Sequence, residues 1–187
     1  MTVHGAALGL AGLNAALPAD AEAAFARCCG ARRWAEAMAA ARPFRDEADL
    51  HARAAAAFDA LGRDDWLEAF RAHPRIGDRD ALRAKFADTR AWAEGEQAGA
   101  LGAADNVVDA LADGNRAYEA RFGHIFIVCA SGLGAAEMLA RLRARLDNAP
   151  DAELEIAAEE QRRIARLRLD KLLEAAAPAT NGEARNT

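Results

Sequence analysis

The stretch AELEIAAEEQRRIARLRLDKLLEAA, residues 152–176, decides the fold. Apolar residues return every three or four positions along it, with charged residues between them. This is the period of an α-helix that packs one face on a core. Because the same rhythm fills most of the chain, the sequence predicts an all-α protein, a compact single-domain bundle of about eight helices.

Proline, glycine and acidic residues set the predicted helix boundaries. One helix begins at Pro18 and stops at Gly30, and the next is closed by Pro43. A third, with an acidic first turn, runs to Gly62, and a fourth is capped by Asp64 and ends before Pro74. Further helices are predicted in 79–101 (one or two), 103–123, 134–146 and 151–176. No linker or repeat divides the chain, so we expect one helical domain over 1–177 and a disordered tail over 178–187.

The segment HIFIVCASG, residues 124–132, breaks the helical pattern. It is short, β-branched and aromatic, and it lies between Gly123 and the pair Ser131-Gly132. A lone strand has no partner, so this segment is either a buried extended connector or the start of the next helix.

Composition excludes some classes of function. The 187 residues are 52% apolar with a net charge of −5, which argues against a nucleic-acid binder built on a basic face. The N-terminal apolar run lacks the basic start of a signal peptide, and no segment is long and apolar enough to span a bilayer. Cys28 and Cys29 are adjacent and Cys129 is distant, which favours reduced thiols. We therefore expect a cytoplasmic protein with no nucleic-acid or membrane partner.

Of the four histidines, His73 is the candidate for chemistry. It ends a helix, where the helix dipole favours the imidazolium, and Pro74 restricts its backbone. A residue that titrates near neutrality in a rigid turn suits general acid-base catalysis. The alternative is a histidine that only caps the helix carbonyls, and spacing alone favours that alternative. His4 and His51 are interpreted as surface or core-edge residues.

The segment WAEGEQAG supplies Glu94, Glu96 and Gln97 among small residues. On an ordinary helix these polar side chains would be solvated. The small neighbours leave room for a helix contact or a ligand, and the carboxylate of Glu96 could orient an imidazole.

Helical spacing sorts the arginines of the long C-terminal helix. Arg163 and Arg166 have mainly charged neighbours and are predicted to be exposed, whereas Arg168 lies on a largely apolar face. An arginine there needs an anion, which could equally be a protein carboxylate or a substrate carboxylate. No spacing typical of metal ligands is present, so no metal is predicted.

Four motifs together resemble one family, the 2-oxo-4-hydroxy-4-carboxy-5-ureidoimidazoline (OHCU) decarboxylases of urate degradation. They are HPRIGD (73–78), EQAG (96–99), NRAYEARFGHIFIVCASG (115–132) and IARLRLDKL (164–172), and ARPF (41–44) with Trp34 adds to them. The resemblance runs from about Leu10 to Leu173. It implies an all-helical, cofactor-free homodimer that converts OHCU into (S)-allantoin.

The resemblance also implies site residues. His73 would be the catalytic histidine with Pro74 beside it, Glu96 its carboxylate partner with Gln97 next to it, and Arg168 the substrate anchor. The backbone at Phe126 and Ile127 would meet the substrate ring. The family commonly has a serine three residues before the glutamate, where this chain has Ala93, so one hydrogen bond to substrate is in question.

Two other classes compete with the decarboxylase interpretation. A helical transcriptional regulator would need clustered basic charge and a recognition helix in residues 1–60, and neither is present. An inactive helical interaction module of the same ancestry is favoured only by Ala93. The joint presence of His73, Glu96 and Arg168 argues against it.

Overall fold

The computed structural model describes residues 9–73 and 99–174, and the side chains of all of these except 99–105. The described part contains eight helices and no strand, which confirms the all-α prediction. The helices are α1 (Gly9–Ala15), α2 (Pro18–Cys28), α3 (Arg32–Ala40), α4 (Glu47–Asp59), α5 (Arg63–Arg71), α6 (Gly99–Phe122), α7 (Ala135–Arg145) and α8 (Pro150–Leu173). None of these eight helices is long and apolar enough to cross a membrane. The predicted tail and most of the predicted helical region 79–101 lie outside the described residues.

Most helix boundaries fall where the punctuation predicts them. Pro18 begins α2 as predicted, and α8 begins at Pro150, one residue before its predicted start; the fixed backbone angle of proline favours both. The cap of α5 is a correction: the cap residue is Gly62, not Asp64, and the Asp65 carboxylate accepts the Gly62 N–H at 3.0 Å. A carboxylate at the third helical position reaches back to the cap more readily than one at the second.

The end of α8 is a second correction. The helix was predicted to run to about Ala176, but it ends at Leu173, and Glu174 leaves the helical conformation with ψ 97°. Leu172 and Leu173 are the last residues of the helix that the core buries.

The buried side chains of the described residues form two clusters. The larger one lies between α1–α5 and α8 and contains Phe25, Trp34 and Phe70. The smaller one lies between α6 and α7 and contains Tyr118 and Met138. Helix α8 contributes ten buried residues, which explains why its pattern dominates the sequence.

Residues 124–132 form the buried connector, the first of the two predicted alternatives. Phe126 and Val128 belong to the smaller cluster, whereas Ile127 between them belongs to the larger one. This alternation is the period of extended backbone, in which successive side chains point to opposite sides. Gly123 and Gly132 frame the segment with φ of +75° and +76°, a region that other residues rarely adopt.

The ARPF segment ties α1 to the turn that follows α3. Asn14 makes two hydrogen bonds of 2.9 Å with the backbone of Phe44. The Arg42 guanidinium donates to the carbonyls of Leu13 and Ala16 at 2.8 and 2.7 Å. These bonds satisfy carbonyls at the end of α1, so the motif stabilises the N-terminal half.

A close approach at Gly30 positions the end of α5. A Cβ added to Gly30 would lie 2.3 Å from the Cβ of Ala72, which is too close for two carbon atoms. Glycine therefore lets the turn between α2 and α3 touch the residue just before His73. The contact places that histidine beside α2 and α8.

We expect Gly30→Ala to lower the free energy of unfolding by about 1–3 kcal/mol, the usual cost of an overpacked contact. The measurement is denaturant unfolding of both proteins. Adding Ala72→Gly should restore part of the loss, because it removes the atom with which the new methyl collides. Equal stability of Gly30→Ala and the natural protein would show that the contact does not constrain the chain.

Candidate active site

One cavity of about 420 Å³ lies where α5, the connector and α8 meet. Its volume is within the range of roughly 300–1,000 Å³ that is usual for small-molecule sites. Four of the predicted site residues line it, namely His73, Phe126, Ile127 and Arg168. The other three, Pro74, Glu96 and Gln97, lie outside the described residues, as does Ala93.

The connector presents mainly backbone to this cavity. The side chains of Phe126 and Ile127 are 2% exposed because each is packed into one of the two core clusters. Peptide groups carry both a donor and an acceptor, so an extended buried segment can read the polar edge of a small ring.

Two carboxylates of α8 hold the connector in place. Glu160 accepts the backbone N–H of Cys129 at 2.7 Å. Glu153, which is fully buried, binds the Arg145 guanidinium at 2.5 Å, and Arg145 in turn donates to the carbonyl of Ile127 at 2.8 Å. The hydroxyl of Tyr118 also donates to Glu153, and burial is the first cause that raises the pKa of that phenol. The cavity wall is therefore fixed by charged hydrogen bonds from its rear side.

His73 is held by a residue that sequence reasoning missed. Its Nε2 lies 2.6 Å from Oε1 of Gln161, a side chain with 0% exposure. A signal for Gln161 existed in the sequence: its neighbours three and four positions away on α8 are Ala157, Ala158, Ile164 and Ala165, all apolar. The same test singled out Arg168, which follows Gln161 by seven residues and so lies on the same face of α8.

Burial lowers the pKa of His73, and the charge of Arg168 lowers it further, whereas the hydrogen bond to Gln161 acts in the opposite direction. The direction is opposite to the one that the dipole of α5 alone would give. Desolvation of a half-buried ring disfavours its charged form. The result is a neutral imidazole near pH 7, the form that can accept a proton.

Arg168 is half-buried, and its described partners are backbone carbonyls. Nη1 donates to the carbonyls of Arg27 and Cys28, at 3.2 and 3.4 Å, where α2 ends. The carbonyl end of a helix carries partial negative charge, so it suits a cation. A guanidinium has five N–H donors. In Arg168, Nη1 is the nitrogen that donates to the described residues. Arg163 and Arg166 are exposed, as predicted.

Burial disfavours the thiolate form of the two cysteines beside Arg168. Cys28 and Cys29 are free and buried, and burial raises the pKa of Cys28 to about 12 and that of Cys29 to about 11. A protonated thiol is a poor nucleophile. The described part of the chain also holds no group of three side chains that could bind a metal ion.

Fold and cavity together define a class: the described residues form an all-helical domain with a cavity of small-molecule size, lined by a histidine, an arginine and an extended backbone segment. The OHCU decarboxylase family model matches residues 14–170. The chain belongs to the OHCU decarboxylase family.

Individual relatives agree with this assignment. The chain is 36% identical over 151 residues to 2-oxo-4-hydroxy-4-carboxy-5-ureidoimidazoline decarboxylase of Amia calva, across 79% of this chain and 82% of that protein. It is 40% identical over 147 residues to the uric acid degradation bifunctional protein TTL of Arabidopsis thaliana, across 78% of this chain. The chain spans 45% of that plant protein's length.

A solved structure matches the fold as well. A crystal structure of OHCU decarboxylase in the presence of (S)-allantoin superposes with a TM-score of 0.63 at 35% identity, over 80% of this chain and 96% of the other.

Proposed function

We propose that this chain decarboxylates OHCU to (S)-allantoin in the cavity between His73 and Arg168. The observation that carries the proposal is the presence of both side chains on the wall of one 420 Å³ cavity, in a chain that belongs to this family. The relative of similar fold that was crystallised in the presence of (S)-allantoin supports the choice of product.

The substrate itself supplies the electron sink. OHCU carries a hydroxyl and a carboxylate on one ring carbon, next to a carbon that is doubly bonded to nitrogen. When the bond to the carboxylate breaks and CO2 leaves, its electron pair forms a ring C=C bond and the C=N pair moves to nitrogen, which takes a proton. The product of this step is an enol, so the reaction needs groups that move protons and orient the ring.

His73 is the base in this proposal. A neutral imidazole takes the hydroxyl proton as the enol becomes a ketone, while the neighbouring ring carbon receives a proton on one face. Protonation on a single face gives one enantiomer, which requires a ring that is held still. The low pKa of His73, caused first by burial, keeps the imidazole in its accepting form near neutral pH.

Arg168 binds the polar edge of the substrate, the ureido or ring carbonyl. Its Nη1 is engaged by the end of α2, which fixes the guanidinium before substrate arrives. A tight grip on the departing carboxylate would stabilise the ground state and oppose decarboxylation. The arginine therefore acts at the end of the ring remote from that carboxylate.

The remaining assignments come from the family resemblance. Glu96 is proposed as the carboxylate partner of His73, and Pro74 and Gln97 as residues next to substrate. We also propose a cytoplasmic homodimer that needs no cofactor.

The test is circular dichroism of the product. Urate oxidase and hydroxyisourate hydrolase generate OHCU, and this protein is then added. We expect the (S)-allantoin signal to appear well before the slow uncatalysed decay of OHCU, which gives racemic product, is complete. A folded protein that leaves only the racemic background would overturn the proposed function and favour an inactive interaction module.

A further inference from the structure

Gln161 is the fully buried polar side chain whose oxygen meets the catalytic histidine of the proposed function. The contact joins Oε1 of Gln161 to Nε2 of His73 at 2.6 Å, across 88 positions of sequence. Gln161 lies in the middle of α8, and its neighbours three and four positions away along the helix are apolar. Neither contact with solvent nor a place in a turn therefore explains an amide at this position. A buried polar group costs stability unless it is hydrogen-bonded, and the contact with His73 supplies that bond.

The chemistry of the contact fixes one tautomer. A carbonyl oxygen only accepts hydrogen bonds, so Nε2 of the neutral imidazole carries the proton. Nδ1 is then the ring nitrogen with the free lone pair, the atom that can take a proton from substrate. A histidine without this bond would divide between two tautomers and several ring orientations.

We propose that Gln161 is a positioning residue for His73, which holds Nε2–H and leaves Nδ1 as the base. The proposal rests on the proposed function for the identity of the reaction. It adds Gln161, at Nε2, to Glu96, the carboxylate partner that the family resemblance implies and that lies outside the described residues.

The amide is suited to this function because it is neutral. A carboxylate at the same position would stabilise the imidazolium and raise the pKa of His73. A neutral acceptor orients the ring with a smaller effect on its charge. The amide nitrogen of Gln161 makes no hydrogen bond to the described residues, and the Gln161 side chain also lies beside the Cys29 thiol.

Other charged and titratable groups near His73 do not replace this contact. They lie on each element packed around the ring: Arg71 on α5, Glu119 on α6, His124 and Cys129 on the connector, Arg168 and Lys171 on α8, and Cys29 between α2 and α3. Within the described residues, the hydrogen bond that reaches a ring nitrogen of His73 comes from Gln161.

Two substitutions separate positioning from packing. Gln161→Met keeps the volume and removes the acceptor; we expect kcat to fall about 10²-fold with little change in KM. The acidic limb of the pH profile of kcat/KM should move to lower pH, because the bond that favours the protonated ring is gone. Gln161→Glu keeps the acceptor and adds charge, so the limb should move to higher pH by about one unit or more.

Matched controls lie on the exposed face of α8. Glu155→Met makes a similar change of side chain for the first variant, and Ala152→Glu adds the same charge for the second. Both controls should keep the pH profile of the natural protein. If the limb of each Gln161 variant coincides with that of its control, the positioning function is wrong even though the protein is an OHCU decarboxylase.

A spectroscopic measurement is independent of activity. The ¹⁵N chemical shifts of the His73 ring, assigned by the loss of its signals in His73→Asn, report which nitrogen carries the proton. We expect the Nε2–H tautomer in the natural protein above neutral pH, and its loss in Gln161→Met. An Nδ1–H tautomer in the natural protein would overturn the inference, whatever the enzyme assay shows.

Discussion

Replacing His73 by Asn should lower kcat for OHCU decarboxylation by about 10²–10⁴-fold, the usual contribution of a positioned acid-base group. Asparagine cannot take the hydroxyl proton at neutral pH, so the step from enol to ketone loses its base. The fold should survive, because His73 is half-buried at the end of α5 and lies outside both core clusters. Stopped-flow circular dichroism of freshly formed OHCU gives the rate, and denaturant unfolding gives the stability.

His51→Asn is the matched control for this variant. His51 lies in α4 and pairs with Asp170 at 2.8 Å, away from the 420 Å³ cavity. It should retain the rate of the natural protein. In the natural protein, kcat/KM should fall as pH drops through the pKa of His73. Because burial lowers that pKa, this acidic limb of the pH profile should lie below the ordinary histidine value of about 6.5. A His73→Asn protein with near-normal kcat would contradict the assignment of the base.

Replacing Arg168 by Met should lower kcat/KM by about 10²-fold, which corresponds to the loss of a charged hydrogen bond. Most of the change should appear as a higher KM, because the guanidinium binds substrate and transition state alike in this account. The acidic limb of the pH profile should also move to higher pH, since the charge of Arg168 is one cause of the low pKa of His73. Initial rates over a range of OHCU concentration and pH measure both effects.

Two further variants define the function of this arginine. Arg166→Met changes an exposed arginine on the same helix and should leave both parameters unchanged. Arg168→Lys should recover the position of the pH limb but only part of the affinity, because an ammonium has charge without the planar fork. Normal kcat/KM in Arg168→Met would show that the anchor lies elsewhere.

The helices could be predicted from sequence because their signals are local. Pro18 begins α2 through the backbone angle that it fixes, and Gly30 and Gly62 lie just beyond the ends of α2 and α4, so these boundaries can be predicted from the local sequence. The sequence predicts Asp64 as the cap of α5, whereas the cap is Gly62. Glycine has no side chain that would mark it as a cap, so its only sign in the sequence is Asp65, whose carboxylate accepts the Gly62 N–H.

The site was only partly predictable, because its contacts are distant in sequence. His73 and Arg168 were found from their local context and their motifs, and the structure brings them to one cavity. Gln161 was missed because a glutamine in a charged helix resembles a solvated residue until its apolar neighbours are counted. Glu153 was missed for a similar reason: nothing local distinguishes it from the acidic residues usual in a first helical turn.

The most direct test of the central claim is a crystal structure of this protein soaked with (S)-allantoin. We predict the product in the 420 Å³ cavity, with a polar atom of the ring edge within hydrogen-bond distance of Arg168 and the ring beside His73. A smaller cavity of about 200 Å³ between α4 and α8, lined by Arg162, Arg163 and Arg166, offers a competing site for a polar ligand. Product bound there, with the first cavity empty, would contradict the account.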